Sequence, residues 1–190
     1  MAERVLLLGI GNILWADEGF GVRAVEAFHR RYRVPDDVTV LDGGTQGLYL
    51  VQHVQAADRL IVFDAVDYGV EPGRLLLVRD AEVPKFTGIK KMSLHQTGFQ
   101  EVLSAAELLG ARLRSLLLIG VQPLDLENWG GPLTAPVRRQ IEPAIAAAAA
   151  ELQRLGIAVE ERRAPLAANE ALLSHGLERE GYERLSPAVP

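Results

Sequence analysis

Near the amino terminus, Arg4-Val5-Leu6-Leu7-Leu8-Gly9-Ile10-Gly11-Asn12-Ile13-Leu14-Trp15-Ala16-Asp17-Glu18-Gly19-Phe20-Gly21 carries the transition that decides the fold. Val5 to Leu8 is an unbroken apolar run that stops at Gly9, which predicts a strand buried on both faces. From Phe20 to Tyr32 the apolar residues fall at Phe20, Val22, Val25 and Phe28, with Arg and Glu between them. That spacing predicts an amphipathic helix. A buried strand followed by a glycine-bearing loop and a helix is the opening of an α/β unit.

The same alternation continues. Val38-Thr39-Val40-Leu41 reads as a second strand, ended by Asp42-Gly43-Gly44, and Leu48 to Val54 as a short helix. Leu60-Ile61-Val62-Phe63 is a third strand, ended by Asp64; Leu75 to Val78 is a fourth, reached through Pro72-Gly73. A helix is expected from about Ser93 to Leu109 with Gly110 as its stop, then a fifth strand over Leu116 to Ile119. A last helix lies within Ala135 to Leu155, where Pro143 marks either a kink or the first turn. After Gly156 the pattern fades. The expected organisation is one domain over residues 1–160 and a loosely packed or disordered tail over 161–190.

Strands alternating with helices specify a single-domain open, twisted, mostly parallel α/β sheet of about five strands, with helices on both faces. Its general form resembles phosphorylase- and hydrolase-type sandwiches. The short connection between the third and fourth strands makes the fourth a candidate antiparallel strand. Right-handed crossovers order the first three strands 2-1-3 or its continuation, which sets a switch point between strands one and three, where ligands of such sheets bind outside the carboxyl ends of the strands.

Composition narrows the function. The chain has 190 residues, enough for one substantial core, and 48% hydrophobic with 24% charged residues argues against wholesale disorder. A net charge of −5, with basic residues clustered only in pairs such as Arg30-Arg31, gives no nucleic-acid footprint. The absence of cysteine excludes thiolate nucleophiles, thiolate metal ligands and disulfides. Val5 to Trp15 is interrupted by Gly9, Gly11 and Asn12 and runs into Asp17-Glu18, unlike a signal peptide, and no apolar run approaches the roughly 20 residues of a membrane span. A cytoplasmic monomer, without membrane insertion, is the expectation.

Three segments converge on the expected switch point: the loop holding Asp17-Glu18, Asp64 at the end of the third strand, and Ser93-Leu94-His95-Gln96 at a helix start. A dinucleotide fingerprint is not satisfied there, because Leu14 stands where its third glycine belongs, although Asp42 occupies a plausible ribose-binding position. Asp17 also fits a helix N-cap and Glu18 a first-turn carboxylate. Asp64 fits either a loop cap or an active-site acid. Ser93 and Gln96 have capping-box spacing, so His95 falls in a first turn, where the helix dipole keeps imidazole neutral and able to ligate. Glu18, Asp64 and His95 together make an open O/O/N set suited to Ni²⁺ or Zn²⁺. No Gly-x-Ser-x-Gly elbow and no His-Glu-x-x-His helix is present.

At these residues the sequence resembles the [NiFe]-hydrogenase maturation endopeptidases. The resemblance is carried by Gly9-Ile10-Gly11-Asn12-Ile13-Leu14 with Asp17-Glu18-Gly19 and Gly21, by Leu41-Asp42-Gly43-Gly44-Thr45, by Phe63-Asp64-Ala65, and by Ser93-Leu94-His95-Gln96. It spans roughly Val5 to Ala150. The resemblance implies an endopeptidase that removes the C-terminal extension of the hydrogenase large-subunit precursor once nickel is in place. The nickel is carried by that substrate and contacted by Glu18, Asp64 and His95, with Asp42 a further acid near the site and Asp42 or Glu18 as general base. Thr45-Gln46-Gly47-Leu48-Tyr49 is closest to the branch serving membrane-bound uptake hydrogenases. Two alternatives stand beside it: a metal- or nucleotide-binding chaperone that docks on the precursor without cutting, and an unrelated small-molecule hydrolase. The loop from Gln122 to Pro132, with Trp129, is either a precursor contact or an ordinary surface loop.

Overall fold

The computed structural model describes residues 3–83, 94–167, 170–174 and 176–185. Five strands form one sheet: β1 (Val5–Ile10), β3 (Val38–Gly44), β4 (Arg59–Ala65), β5 (Leu75–Arg79) and β6 (Ser115–Val121), in the order β3-β1-β4-β6-β5. β1 pairs in parallel with β3 and β4, and β4 with β6, whereas β5 runs antiparallel along β6. The 2-1-3 order and the reversed fourth strand are therefore as the sequence specified. A separate pair joins β2 (Tyr32–Arg33) to β7 (Glu160–Glu161).

Side chains alternate across the sheet and divide the core in two. Val5 and Leu7 of β1, Ile61 and Phe63 of β4, and Ile119 of β6 pack under α1 (Phe20–Arg31) and α5 (Ile141–Arg154). Leu6 and Leu8, Leu60 and Val62, and Leu118 pack under α2 (Val51–Ala56) and α3 (Leu94–Leu108). Close approach of α1 to the sheet is possible only because Gly21 has no Cβ: one built there would lie 2.2 Å from the carbonyl oxygens of both Ile10 and Phe63. The short helix α4 (Ala135–Arg138) precedes α5, and Pro143 is the third residue of α5, within its first turn, where its missing N–H costs no helical bond. Past α3, Gly110 adopts φ +90°, and the Ala111 N–H reaches back to the Ala106 carbonyl, closing the helix as a glycine stop does.

The segment 161–190, read from composition as a loosely packed or disordered tail, includes the end of β7 and α6 (Arg179–Leu185). They lie along α1: Arg162 Nε donates to the His29 and Tyr32 carbonyls, Arg23 Nη1 to the Leu177 carbonyl at 2.6 Å, and the Arg179 N–H to Glu26. Charged groups partner accordingly, since Arg23 and Glu26 are both buried and are 3.2 Å apart.

One ion pair fixes α5 to the sheet edge. Glu151 is buried and accepts from Arg154 Nη2 at 2.6 Å and from Arg79 Nη2 at 2.9 Å. The Arg154 hydrogen bond first, then Arg79, hold its carboxyl down at about 2. A depressed acid stabilises the fold above its unfolded-state value and loses that contribution as pH falls toward the folded one. Glu151→Gln is expected to cost about 2 kcal/mol at pH 7, because both arginines are half exposed and the pair is partly screened. Urea unfolding at pH 7 and again near pH 2.5 checks it: the gap between wild type and variant should shrink at the acid end.

Candidate functional site

The carboxyl ends of β1 and β4 form the switch-point edge, and the loop after β1 folds back across it. A Cβ on Gly11 (φ +137°) would lie 1.9 Å from the Glu18 carbonyl oxygen. That space is filled by the following 3₁₀ turn, Ala16–Gly19, so the glycines serve a folded-back loop and not a phosphate cradle.

Asp17 is fully buried in that turn. It does not cap α1. Its carboxylate accepts from the Leu124 and Asp125 N–H groups at 2.8 and 2.9 Å, from the Thr134 N–H at 2.7 Å and from the Thr134 hydroxyl at 2.9 Å. The Asp17 N–H donates in turn to the Asp125 carbonyl. The expected N-cap is thus a long-range anchor between the Glu18-bearing turn and the loop after β6.

Glu18 is half-buried, and burial raises its carboxyl above the ordinary range. Asp64 is buried at the end of β4. By alternation with Val62 it faces the α2/α3 side. Desolvation pushes its carboxyl well up, the Ala65 N–H opposes this, and the charge of Glu18 pushes it further. Two partly desolvated acids, the charge of Glu18 acting on Asp64, form a set that a divalent cation would neutralise. Among the described residues no three metal-binding side chains cluster. His95 occupies the first turn of α3, whose other end meets the start of β6, so the turn begins at the carboxyl edge and on the face of Asp64. Ser93 and the side chain of His95 lie outside the described residues.

Asp42 is on the same edge but the opposite face. Val40 packs in the α1 half of the core and Leu41 in the other, which turns Asp42 toward α1. Its Oδ1 accepts from the Gly44 N–H at 2.9 Å. Burial raises its carboxyl, and the side-chain charges acting on it are Arg23 and Glu26 of α1. The structure brings Glu18 and Asp64 together and places Asp42 apart from them.

Sequence reading missed Tyr68. Asp64 is in register with Gly120 of β6, so the two share a face. A Cβ on Gly120 would lie 1.9 Å from the Tyr68 hydroxyl oxygen, which puts the phenol beside Asp64. Burial and then the Asp64 charge raise the phenol above its ordinary range, so it stays protonated at neutral pH. Gln122 holds the loop that delivers it. The Gln122 side-chain oxygen accepts from the Tyr68 and Val70 N–H groups, and its amide donates to Asp67. Asp67-Tyr68-Gly69 looks like an ordinary turn in sequence; only the strand register reveals its role.

An open α/β sheet with a buried Asp64 and a half-buried Glu18 at its switch point, and with the phosphate cradle filled, has the form of an open-sheet enzyme site and not of a nucleotide carrier. A family model described as hydrogenase maturation protease matches residues 22–151. The hydrogenase expression/formation protein HupD of Bradyrhizobium diazoefficiens is 69% identical over 181 residues, covering 95% of this chain and 94% of that one. The hydrogenase 2 maturation protease of Escherichia coli K12 is 45% identical over 163 residues, covering 85% of this chain and 98% of that one. The solved structure of the hydrogenase maturating endopeptidase HybD from E. coli superposes with a TM-score of 0.78 at 42% identity, covering 84% of this chain and 98% of that one. The chain belongs to the hydrogenase maturation protease family, and its activity is peptide-bond hydrolysis.

Proposed function

We propose that this protease removes the C-terminal extension of a [NiFe]-hydrogenase large-subunit precursor, and that Glu18, Asp64 and His95 reach the nickel the precursor carries. The observation that carries the reading is the Glu18–Asp64 pair: two acids near enough for the charge of Glu18 to act on Asp64, each raised by burial, at the ligand edge of the sheet. Such a pair is an electrostatic liability until a cation arrives, which makes nickel insertion a condition for tight docking. The metal orients the peptide and polarises the scissile carbonyl. Water adds to that carbonyl carbon, its proton passes to a carboxylate, and the departing nitrogen takes the proton as the C–N bond breaks. Of the two acids considered as base, Glu18 is the one whose charge acts on Asp64. The cysteine-free chain fits a cytoplasmic site of action.

Intact mass of the precursor, incubated with the protease in nickel-loaded and nickel-free form, tests the proposal. Loss of a short C-terminal peptide from the loaded form only is the expected result. Cutting of both forms would remove the metal-reading role. Cutting of neither, with loading verified, would favour a docking chaperone.

A further inference from the structure

Trp129 and Leu124 are large apolar side chains left in solvent, 62% and 57% exposed, on the loop joining β6 to α4. An exposed apolar side chain on a mobile loop would need no explanation. This loop is instead held at three levels. The buried Asp17 carboxylate takes the Leu124, Asp125 and Thr134 backbone N–H groups. The Asp125 carboxylate takes the Glu127 and Asn128 N–H groups. Trp129 forms a β-bridge with Trp15, their rings meet edge to face at 5.1 Å, and the Gly130 N–H donates to the Leu14 carbonyl.

Every one of these ties runs to the turn that bears Glu18, or stiffens the loop itself. Asp17 is the immediate neighbour of Glu18, so the loop cannot shift without moving the site. A rigid frame that presents an unburied tryptophan beside a protease site has the form of a binding anchor: the aromatic surface is ordered before binding, and little entropy is lost when it is covered.

From this we infer that Trp129 and Leu124 form the docking surface for the precursor polypeptide next to the bond that is cut, and that they receive an apolar side chain of that segment. The inference rests on the proposed reading of the edge as the place where the precursor is processed. Trp129 meets the ring of Trp15, three residues before Glu18, and the Leu124 N–H is held by Asp17, the neighbour of Glu18, so both exposed side chains flank the Glu18 turn, in reach of a chain whose scissile bond lies at Glu18 and Asp64. The role is recognition and not chemistry: neither side chain carries a group that can move a proton.

The test measures affinity and turnover together, with the nickel-loaded precursor and the full-length protease. Trp129→Ala is expected to weaken precursor binding, read by biolayer interferometry, and to raise KM, each by about tenfold, with kcat within a factor of two of wild type. Leu124→Ser is expected to act in the same direction to a smaller extent; its backbone N–H still reaches Asp17. Thermal unfolding of Leu124→Ser should match wild type; Trp129→Ala loses the ring contact with Trp15 but keeps the backbone bridge, the Gly130–Leu14 bond and the Asp17 anchor, so its melting point should fall only slightly. Unchanged affinity and KM in both variants would overturn the inference while leaving the protease reading intact. Binding by wild type without cutting, still weakened by Trp129→Ala, would support the surface and remove the cleavage reading. Absence of binding by wild type would overturn the surface.

Discussion

Asp64→Asn should reduce processing of the nickel-loaded precursor by about 10³-fold or more, while making the free protein more stable. Asparagine keeps the shape, and its carbonyl oxygen still accepts from the Ala65 N–H, the bond that opposes the upward push on Asp64. It removes the charge that a metal-reading carboxylate needs. The stability gain follows from the sign of the linkage. Asp64 is raised in the folded state by burial first and by Glu18 next. A raised acid leaves the fold unpenalised below its unfolded-state value, costs stability as pH rises through the interval up to the folded value, and keeps that full cost above it. Asparagine mimics the protonated form, so it should gain about 0.5–2 kcal/mol at pH 8 and little at pH 4. Glu18→Gln and His95→Ala should likewise abolish cleavage without unfolding the chain. Intact-mass assays give the first effect and urea melts at the two pH values the second. An Asp64→Asn protein that processes its substrate fully would sink the assigned role, and one that is destabilised at pH 8 would sink the electrostatic account.

What the sequence showed of this site depended on how local each signal was. β1, β4 and β6 are apolar runs buried on both faces, and the 2-1-3 order follows from crossover handedness, so Glu18 and Asp64 could be placed on one edge without coordinates. The side of the sheet was also available: Asp42 follows Val38 and Val40 at period two, and that parity alone turns it toward α1 and away from Asp64. Adjacency in a motif concealed it, because motif residues close to a site are easily read as facing it. Tyr68 needed more. Its place depends on the pairing of Asp64 with Gly120, a register that no single segment contains. Loss of a side chain at Gly120 is the trace it leaves, and glycine in a buried strand is the sign of a close approach. The described part of the tail shows contacts that composition does not reveal. Its charged composition resembles a solvated segment, but its charges and backbone are directed at α1, where Arg23 and Glu26 are buried under it.

Asp17→Ala is the substitution expected to damage the fold most. In sequence Asp17 is a surface-type acid before a helix; in the structure it accepts four hydrogen bonds from residues more than a hundred positions away. Alanine leaves three backbone N–H groups and a hydroxyl facing a pocket with no acceptor, and each such loss is costly because the groups were already withdrawn from water. Ala16 beside it holds φ at +35°, a left-handed conformation that costs an alanine about 1–2 kcal/mol and persists only while its neighbours fix it. Removing the anchor releases both ends of the link. The expected destabilisation is about 3–5 kcal/mol, since several buried donors each lose a charged acceptor at about 1–3 kcal/mol apiece. Asp17→Asn is the discriminating control. Its single carbonyl oxygen can retain part of the set, but its amide is a donor turned toward other donors, so it should fall between wild type and alanine. Because the Glu18 turn and the Trp129 loop share this anchor, Asp17→Asn should also raise KM and lower kcat together, whereas Trp129→Ala raises KM alone. Denaturant unfolding with steady-state processing of the same two variants separates the roles: a stable Asp17→Ala protein would mean that the loop and the turn keep their positions without the carboxylate, and that the frame under Trp129 is held by the Trp15 contact instead.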